Sequence, residues 1–296
     1  MLWQLIKLLC LPLVYQSSVM EDVCENGIST EELDNIDVAC QFHYHNLPDY
    51  CFVRTAVRAI SDPSFFEQHV LHGGPDQPAA STTTRAVYTT HLQNLHTWGV
   101  VRSIGSLCIR TICRYFAVAK TENTSRSIFD GRNISLLCHP PPGMRLPDTV
   151  HISGFFRSFS GNVRMRSLDL RHYFHQIPLH DKIGDYFVVK VGGKQYAWKA
   201  LPMGWSWSPS IAQALTIAIA IEAARNVRMG KTKLAPRIKL EDSSTVPGYF
   251  EIEAGTAKAR VYITYDNVMF IGDEGLVDRW YSAFEPSSQC GDQGRI

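Results

Sequence analysis

Apolar and polar positions follow a regular period in only part of the chain, mostly after residue 86. Leu92, Leu95 and Trp98 recur at every third position, which places their side chains on one face of a helix. The spacing predicts a helix over residues 90–101.

Two pairs of β-rich segments predict hairpins. Residues 114–120 and 126–130 are separated by a polar, turn-like stretch. Residues 186–191 and 194–198 flank a pair of glycines, whose freedom to take positive φ suits the corner of a tight hairpin. Each pair is therefore expected to fold back on itself as an antiparallel ladder.

A polar residue marks the start of a helix near the middle of the chain. Asp148 precedes an apolar pattern, and a carboxylate there can accept hydrogen bonds from the free N–H groups of the first turn. The side expected to be buried contains Val150, Ile152, Phe155 and Phe156.

The longest predicted helix follows a serine and a proline. Ser208 is the expected cap, and Pro209 suits the first turn because its φ is fixed near the helical value. The pattern continues to about residue 228. Residues 230–256 are polar and irregular, so no element is predicted there.

Two aspartates follow apolar strands. One strand is predicted over residues 163–170 and contains Asp169, and two short strands at 259–264 and 268–271 flank a turn that contains Asp266. A carboxylate in such a place is costly unless something pairs with it. If the strands are neighbours, the like charges repel unless cations lie between them, and Mg²⁺ prefers such hard oxygen ligands.

The composition allows one large domain or two smaller ones. The chain has 296 residues, of which 45% are hydrophobic, so a core can form. Its net charge is +1, whereas nucleic-acid-binding domains are usually basic, so any such contact has to come from local clusters. Four arginines near the first motif form a candidate phosphate-binding cluster, with ordinary surface residues as an equal alternative: Arg157, Arg164, Arg166 and Arg171.

The N-terminal region suggests two further interpretations. Cys40, His43, His45 and Cys51 are zinc-type ligands, but their spacing matches no standard zinc site, so ordinary thiols in a reducing compartment are favoured. Residues 1–15 are apolar but too short to span a bilayer as a helix. A buried or frayed helix is favoured over a signal peptide, and a cytoplasmic or nuclear location over secretion.

Four segments resemble the motifs of reverse transcriptases, the RNA-directed DNA polymerases of retroelements. Residues 126–135, 167–179, 201–213 and 264–272 look like the finger motif, two palm motifs and the metal-binding turn, in the family's order. The resemblance spans roughly residues 88–275. The YDN turn and the LPMGW loop favour tyrosine-recombinase (DIRS/VIPER-type) retrotransposons within that family.

The resemblance implies an α+β fold of fingers and palm, in which an antiparallel palm sheet carries helices on one face. Residues 86–275 would form this domain, after a weakly defined N-terminal extension (1–85) and before a short tail (276–296). The residues after Gly272 are too few for the family's thumb and ribonuclease H domain. A truncated copy of a mobile element, without a thumb, is therefore expected.

The resemblance also assigns the catalytic roles. Asp169 and Asp266 would hold two Mg²⁺ ions, or Mn²⁺ in their place, with the backbone carbonyl of Leu170 as a further ligand. Asn267 belongs to the same catalytic turn, where the family usually has a second aspartate, and Thr264 stands where a tyrosine is common. A lower metal affinity is therefore expected.

Other residues would bind the incoming nucleotide. Lys120 and Arg126 would grip its triphosphate, because lysine offers a point charge and arginine a planar fork for phosphate oxygens. Phe174 would exclude a ribose 2′-hydroxyl. The alternatives are a solvated hairpin for the two cations and a core position for the ring. The resemblance also implies that Gly204 and Trp205 shape the floor beneath the template-paired nucleotide and that Gln213 helps to place the template strand. Met203, Gly204 and Gln213 would belong to the nucleotide-binding residues.

The implied activity is the transfer of deoxynucleotides to a primer 3′-hydroxyl by a two-metal-ion mechanism. The partners would be an RNA or DNA template with its primer, and deoxynucleoside triphosphates. No membrane is expected, and the oligomeric state is not predicted. Two alternatives stay open: a catalytically inactive remnant that at most binds nucleic acid, and a secreted or membrane-associated protein.

Overall fold

A computed structural model of the chain describes residues 47–71, 86–105, 110–119, 125–159, 162–170, 172–228 and 235–288. Several predictions fall outside these residues. They concern the apolar run at residues 1–15, the zinc-type residues Cys40, His43 and His45, and the two cations Lys120 and Arg171.

Short strands and helices alternate along the described residues. The strands are β1 (Val101–Ser103), β2 (Ile112–Ala119), β3 (Ser125–Asp130), β4 (Arg164–Asp169), β5 (Val188–Val191), β6 (Lys194–Trp198), β7 (Arg237–Lys239), β8 (Tyr249–Ala254), β9 (Ala257–Thr264) and β10 (Asn267–Gly272). The helices are α1 (Cys51–Ser61), α2 (Pro63–Gln68), α3 (Ala86–Thr97), α4 (Arg132–Leu137), α5 (Thr149–Arg157), α6 (Tyr173–Gln176), α7 (Asp181–Gly184), α8 (Ser208–Asn226) and α9 (Glu274–Ser288).

The first sheet has the strand order β1-β6-β5-β2-β3. Both predicted hairpins belong to it, as the antiparallel pairs β2/β3 and β5/β6. Gly192 and Gly193 have φ values of 58° and 76° at the corner between β5 and β6, which is the backbone conformation for which glycine is suited there. Because β2 runs parallel to β5, this sheet is mixed.

The second sheet has the order β4-β10-β9-β8-β7 and is antiparallel throughout. The helices α8 and α9 pack on one face, against buried side chains such as Ile263 and Phe270. The other face is covered at one end by α5, whose Phe155 packs on Tyr262 and Ile271. The described residues thus form a mixed α+β structure with antiparallel strands in the second sheet, as predicted.

Helix α8 is buried on nearly all sides, because α1, α9 and β9 surround it. Its alanines allow these neighbours to approach closely. The predicted helix is present, but its predicted cap is wrong. Trp207 is the residue before the helix, and Ser208 lies in the first turn, where its hydroxyl donates to the carbonyl of Pro202 at 2.6 Å.

Two helices lie in the region predicted to be weakly defined. Residues 51–68 form α1 and α2, and the buried residues of α1 include Phe52, Ala56 and Ile60 at helical spacing. Asp62 caps α2 by accepting hydrogen bonds from two N–H groups of the first turn at 3.0 and 3.1 Å. The predicted domain boundaries stay a prediction, but this period in the sequence was missed.

A further helix, α9, lies where a short tail was expected. Leu276, Trp280 and Phe284 are completely buried and share one face of α9. The indole N–H of Trp280 donates to the carbonyl of Ala220 in α8 at 2.9 Å. The described part of the expected tail is therefore core structure.

The prediction of an irregular segment over residues 230–256 is also wrong, because β7 and β8 lie within it. In β8 the buried Phe250 and Ile252 alternate with Glu251 and Glu253. This period of two is typical of a strand with one buried face.

Asp148 caps α5 as predicted, by accepting a hydrogen bond from a main-chain N–H of the first turn at 2.8 Å. The predicted burial of α5 is only partly right. Phe155 is buried and Ile152 half-buried, but Val150 is 75% exposed and Phe156 is 37% exposed. The sheet touches α5 on one narrow side, which explains the difference.

The helix predicted over residues 90–101 is α3, which buries Leu92 and Leu95 as expected. It ends at Thr97, because Gly99 takes a φ of 72° and the chain then continues as β1. Across the part of the chain that the structure describes, every helix is too short or too polar to cross a lipid bilayer.

Two buried histidines make the stability of the fold sensitive to acid. His91 and His175 lie against aromatic rings, His91 stacked on Tyr115 and His175 on Trp198. Burial lowers the pKa of each imidazole to about 4. Both side chains are therefore neutral in the folded protein at physiological pH.

We expect the free energy of unfolding to fall as the pH is lowered from about 6.5 to about 4. An unfolded histidine takes up a proton near the upper limit, whereas the folded ones resist until the lower limit, so protons favour the unfolded chain across this window. Each histidine accounts for on the order of 3 kcal/mol at most. Urea unfolding at a series of pH values measures this slope. His91→Gln with His175→Gln should flatten it, and an unchanged slope would contradict the assignment.

Candidate active site

Strands β4 and β10 bring together two aspartates that are far apart in the sequence. They pair antiparallel, with Asp169 at the end of β4 opposite Asn267 at the start of β10. The next pair in this register is joined by a hydrogen bond, in which the N–H of Leu170 donates to the carbonyl of Asp266 at 2.8 Å. Asp169 and Asp266 therefore lie at the same end of this strand pair, and their role as metal ligands stays a prediction.

The turn that carries Asp266 has an unusual backbone. Tyr265, its first residue, has a φ of 57°, in the left-handed region that residues with a Cβ seldom adopt. Two buried polar side chains of α8 hold it. The side-chain amide oxygen of Gln213 accepts a hydrogen bond from the N–H of Tyr265 at 2.7 Å. The Thr216 hydroxyl lies 2.7 Å from the main-chain carbonyl oxygen of Tyr265.

The two carboxylates are both partly desolvated. Burial raises the pKa of Asp169. Burial also raises the pKa of Asp266, and the neighbouring charge of Asp169 raises it further. An ionised pair is therefore costly at neutral pH, and a cation beside it would relieve both the desolvation and the repulsion.

Asn267 takes part in this arrangement through its amide. The Asn267 side-chain N–H donates to one carboxylate oxygen of Asp266 at 3.1 Å. That bond favours the ionised form of Asp266, which is the form that binds a cation. In the position where a second aspartate of the turn would add a charge, this chain has a neutral hydrogen-bond donor.

The available donors fit a hard divalent cation. Within the described ranges, no three His, Cys, Asp or Glu side chains lie close enough to hold a metal ion by themselves. A cation here would depend on Asp169 and Asp266, completed by main-chain oxygen, water and phosphate, as Mg²⁺ often is. The Leu170 carbonyl accepts a hydrogen bond from the Tyr173 N–H at 3.3 Å, and a carbonyl oxygen has two lone pairs, so it could also bind a cation.

Gln213 does not reach open space at this site. It was expected to help place the template strand, but its side chain is completely buried and bonds only to backbone groups of neighbouring segments. The expectation of a template contact is therefore wrong. The residue instead supports the turn that carries Asp266.

The loop before α8 divides into an exposed and a buried part. Met203 is 51% exposed and can be reached by a ligand. Trp205, expected on the floor beneath the nucleotide, is instead buried among the rings of Phe66, Phe187 and Trp207. Its flat, apolar ring fills the core below the loop, so a direct contact with a nucleotide is not expected.

Gly204 allows this loop to approach the first sheet. Its φ is 119°, and a Cβ atom there would lie 2.2 Å from the carbonyl oxygen of Phe129 in β3. Gly131 meets it from the other side, since a Cβ there would lie 2.7 Å from the Gly204 carbonyl oxygen. This contact fixes the position of the loop and of the exposed Met203.

We expect Gly204→Ala to lower the free energy of unfolding by about 3 kcal/mol, because it adds both backbone strain and a clash with backbone. Gly193→Ala is the matched control. Gly193 also has positive φ, but a Cβ there meets open space, so only strain of about 1 kcal/mol is expected. Urea unfolding of both variants measures the difference, and equal losses would rule out a close contact at Gly204.

The residues expected around the nucleotide are only partly described. Phe174 is half-buried on α6, five positions after Asp169, and packs against the core. Arg126 lies in β3, opposite Val118 in β2. The roles of Phe174 and Arg126 stay predictions, as does that of Lys120.

Two of the four clustered arginines have acidic partners on α9. Arg164 contacts Glu274 and lies 3.6 Å from Asp278, and Arg166 donates to Asp278 at 3.0 Å. These pairs tie β4 to α9. The candidate phosphate-binding role is therefore not supported for Arg164 and Arg166, because their charges are already matched.

No protein-family model and no curated protein matches the chain. Two solved structures with a similar fold are of a foamy viral protease-reverse transcriptase in complex with dsDNA. For the form called dRH, the identity is 15% and the TM-score 0.45, over 74% of this chain and 33% of the other. For the second, the values are 16% and 0.44, over 75% and 39%. The chain thus spans little more than a third of those proteins, and its function has to be judged from its own residues.

Proposed function

We propose that residues 86–275 form the catalytic core of an RNA-directed DNA polymerase. The observation that carries the proposal is the pairing of β4 with β10, which brings Asp169 beside the turn containing Asp266. Each aspartate lies inside a segment that resembles a motif of reverse transcriptases. The resemblance of these motifs and the pairing of the two strands together support the assignment of Asp169 and Asp266.

The chain's own groups would act in the following way. Asp169 and Asp266 would hold two Mg²⁺ ions, with the Leu170 carbonyl as an additional ligand. Once bound, such ions lower the pKa of a primer 3′-hydroxyl and stabilise the leaving pyrophosphate. Asn267 would orient Asp266 through its amide, and Phe174 would exclude a ribose 2′-hydroxyl. Lys120 and Arg126 would hold the triphosphate.

The substrates would be deoxynucleoside triphosphates and a primer annealed to an RNA or DNA template. The YDN turn and the LPMGW loop lead us to assign the chain to a tyrosine-recombinase (DIRS/VIPER-type) retrotransposon.

The raised pKa values of Asp169 and Asp266 imply that protons compete with cations for the site. Incorporation should therefore rise with pH through the range in which these groups ionise.

Primer extension tests the proposal. The folded protein is incubated with a labelled DNA primer on an RNA template, the four deoxynucleotides, and Mg²⁺ or Mn²⁺. A parallel reaction uses the same sequence as a DNA template. The proposal predicts extension that stops when EDTA is added, and no extension with either cation on either template would contradict it.

Asn267 favours a second candidate function, nucleic-acid binding without catalysis. Where reverse transcriptases usually have a second aspartate, this turn has a neutral amide. The site would therefore have one negative charge less and would bind a cation more weakly. In that case the protein would retain RNA in a binding assay, with an affinity that falls as salt is raised, and would incorporate nothing.

A further inference from the structure

We infer that Gln213 and Thr216 are positioning residues, which set the place of the Asp266 carboxylate by holding the backbone of Tyr265. The inference rests on the proposed function, because it concerns the same cation-binding turn. Both residues lie on α8, act through the main chain of the turn and contact no substrate.

Both the amide nitrogen and the amide oxygen of Gln213 form hydrogen bonds to the turn and the segments beside it. The amide oxygen accepts from Tyr265 N–H at 2.7 Å. The amide nitrogen donates to the carbonyls of Ile263 at 2.7 Å and Pro247 at 3.1 Å. One side chain therefore joins α8 to the end of β9, to the turn and to the loop before β8.

Thr216 holds the other side of the same residue, at the peptide unit that follows Tyr265. It lies one helical turn after Gln213, and its hydroxyl is 2.7 Å from the Tyr265 carbonyl and 2.9 Å from the Ala212 carbonyl. The single hydroxyl proton can bond to either acceptor, so the bond to the turn competes with one inside the helix. Together, the two side chains reach both the N–H and the carbonyl of Tyr265.

The turn needs such support for two reasons. Tyr265 has a φ of 57°, a conformation that a residue with a Cβ leaves unless other bonds hold it. In addition, the charges of Asp169 and Asp266 repel each other when no cation lies between them. Without the bonds from α8, the turn would relax away from β4 and separate the two carboxylates.

Other buried polar residues of α8 do not share this arrangement. The hydroxyl of Ser208 donates to Pro202, and that of Ser210 donates to Trp207, both at the start of the helix. Ser210 is therefore a suitable control, since it is buried on the same helix and bonds to no residue of the turn.

The test compares four variants of the full chain: Gln213→Met, Thr216→Val, Thr216→Ser and Ser210→Ala. Met and Val keep approximate shape but lose the hydrogen bonds, whereas Ser keeps the hydroxyl. Hydrogen exchange of the peptide covering residues 264–268 reports on the turn without any metal. Isothermal titration with Mn²⁺ alone then reports on the paired carboxylates.

We expect Gln213→Met and Thr216→Val to exchange the turn amides at least about tenfold faster, and to bind Mn²⁺ about tenfold more weakly. Thr216→Ser and Ser210→Ala should match the wild type in both. Unchanged exchange in Gln213→Met and Thr216→Val would overturn the inference, as would an equal effect in Ser210→Ala. If Gln213→Met does not fold, the Thr216 pair decides alone.

Different results would contradict the proposed function and the positioning role of Gln213 and Thr216. If the wild type binds no Mn²⁺, the proposed function fails while the exchange data still judge the support of the turn. If the wild type binds Mn²⁺ but the turn is equally protected in all variants, the proposed function survives and the positioning role is wrong.

Discussion

Asp169→Asn is expected to reduce Mg²⁺-dependent nucleotide incorporation by at least about a thousandfold while the protein remains folded. A cation held between transferring groups contributes several kcal/mol to the transition state, and about 4 kcal/mol corresponds to that factor. The neutral amide has nearly the same shape as the carboxylate but attracts a cation far less.

The same substitution should raise the thermal midpoint of unfolding. Burial raises the pKa of Asp169, so its contribution to stability is present at low pH and is lost as the pH rises through the folded-state pKa. At neutral pH the ionised group therefore destabilises the fold, and the amide removes this cost. Thermal unfolding at neutral pH measures the change, and primer extension measures the loss of incorporation.

Asp49→Asn is the matched control for this prediction. Asp49 is an aspartate whose side chain is 81% exposed and pairs with Arg54, and it belongs to neither of the paired strands. Its substitution should change neither incorporation nor the thermal midpoint appreciably. Incorporation by Asp169→Asn within about tenfold of the wild type would contradict a role as a metal ligand.

Trp280→Ala is expected to destabilise the protein by about 4 kcal/mol or more, since large-to-small substitutions of buried aromatic residues leave a cavity. Trp280 is completely buried in α9, and its ring packs against Phe250 and Phe270 of the second sheet. Removal of the indole also removes its hydrogen bond to the Ala220 carbonyl of α8, which adds about 1 kcal/mol.

A loss of this size is a large share of the stability of most domains, which is about 5–15 kcal/mol. Urea unfolding followed by circular dichroism measures it. Ser282→Ala, at an exposed position of the same helix, should change stability by less than about 0.5 kcal/mol. A Trp280→Ala variant as stable as that control would mean that α9 is not part of the folded core.

The elements that the sequence predicted correctly have local signals that tertiary packing reinforces. The hairpin β5/β6 has glycines at its corner, β9/β10 has strand-forming residues on both sides of a two-residue turn, and β2/β3 has them on both sides of a polar stretch of sequence. Helix α8 could be predicted from its length, although its own buried residues lie on nearly all sides and so give no amphipathic period.

Helices α1 and α9 were not predicted, for a different reason. In α1 and α9 the apolar spacing was present in the sequence, at Phe52, Ala56 and Ile60 and at Leu276, Trp280 and Phe284. Polar or charged residues between these positions hid the pattern, because an amphipathic helix exposes its other face. Whether such a helix is stable depends on a partner surface, which here is α8.

The candidate site was predictable to the level of the paired aspartates, because each follows a strand in a recognisable motif. The positions of the side chains around the two aspartates could not be predicted. Gln213 and Trp205 lie in motif segments, yet both are buried and support the site from below. Arg164 and Arg166 are near Asp169 in sequence, yet acidic residues of α9 take up their charge. These outcomes depend on neighbours that are distant in the chain.

Titration with Mn²⁺ in the absence of substrate tests most directly whether Asp169 and Asp266 share a cation site. Isothermal titration at pH 7.5 is carried out on the wild type, Asp169→Asn, Asp266→Asn and the double variant. Each single substitution should weaken Mn²⁺ binding by at least about tenfold, and the double variant should lose little more, because either change already dismantles the shared site. Wild-type affinity in both single variants would contradict the site, and with it the proposed polymerase.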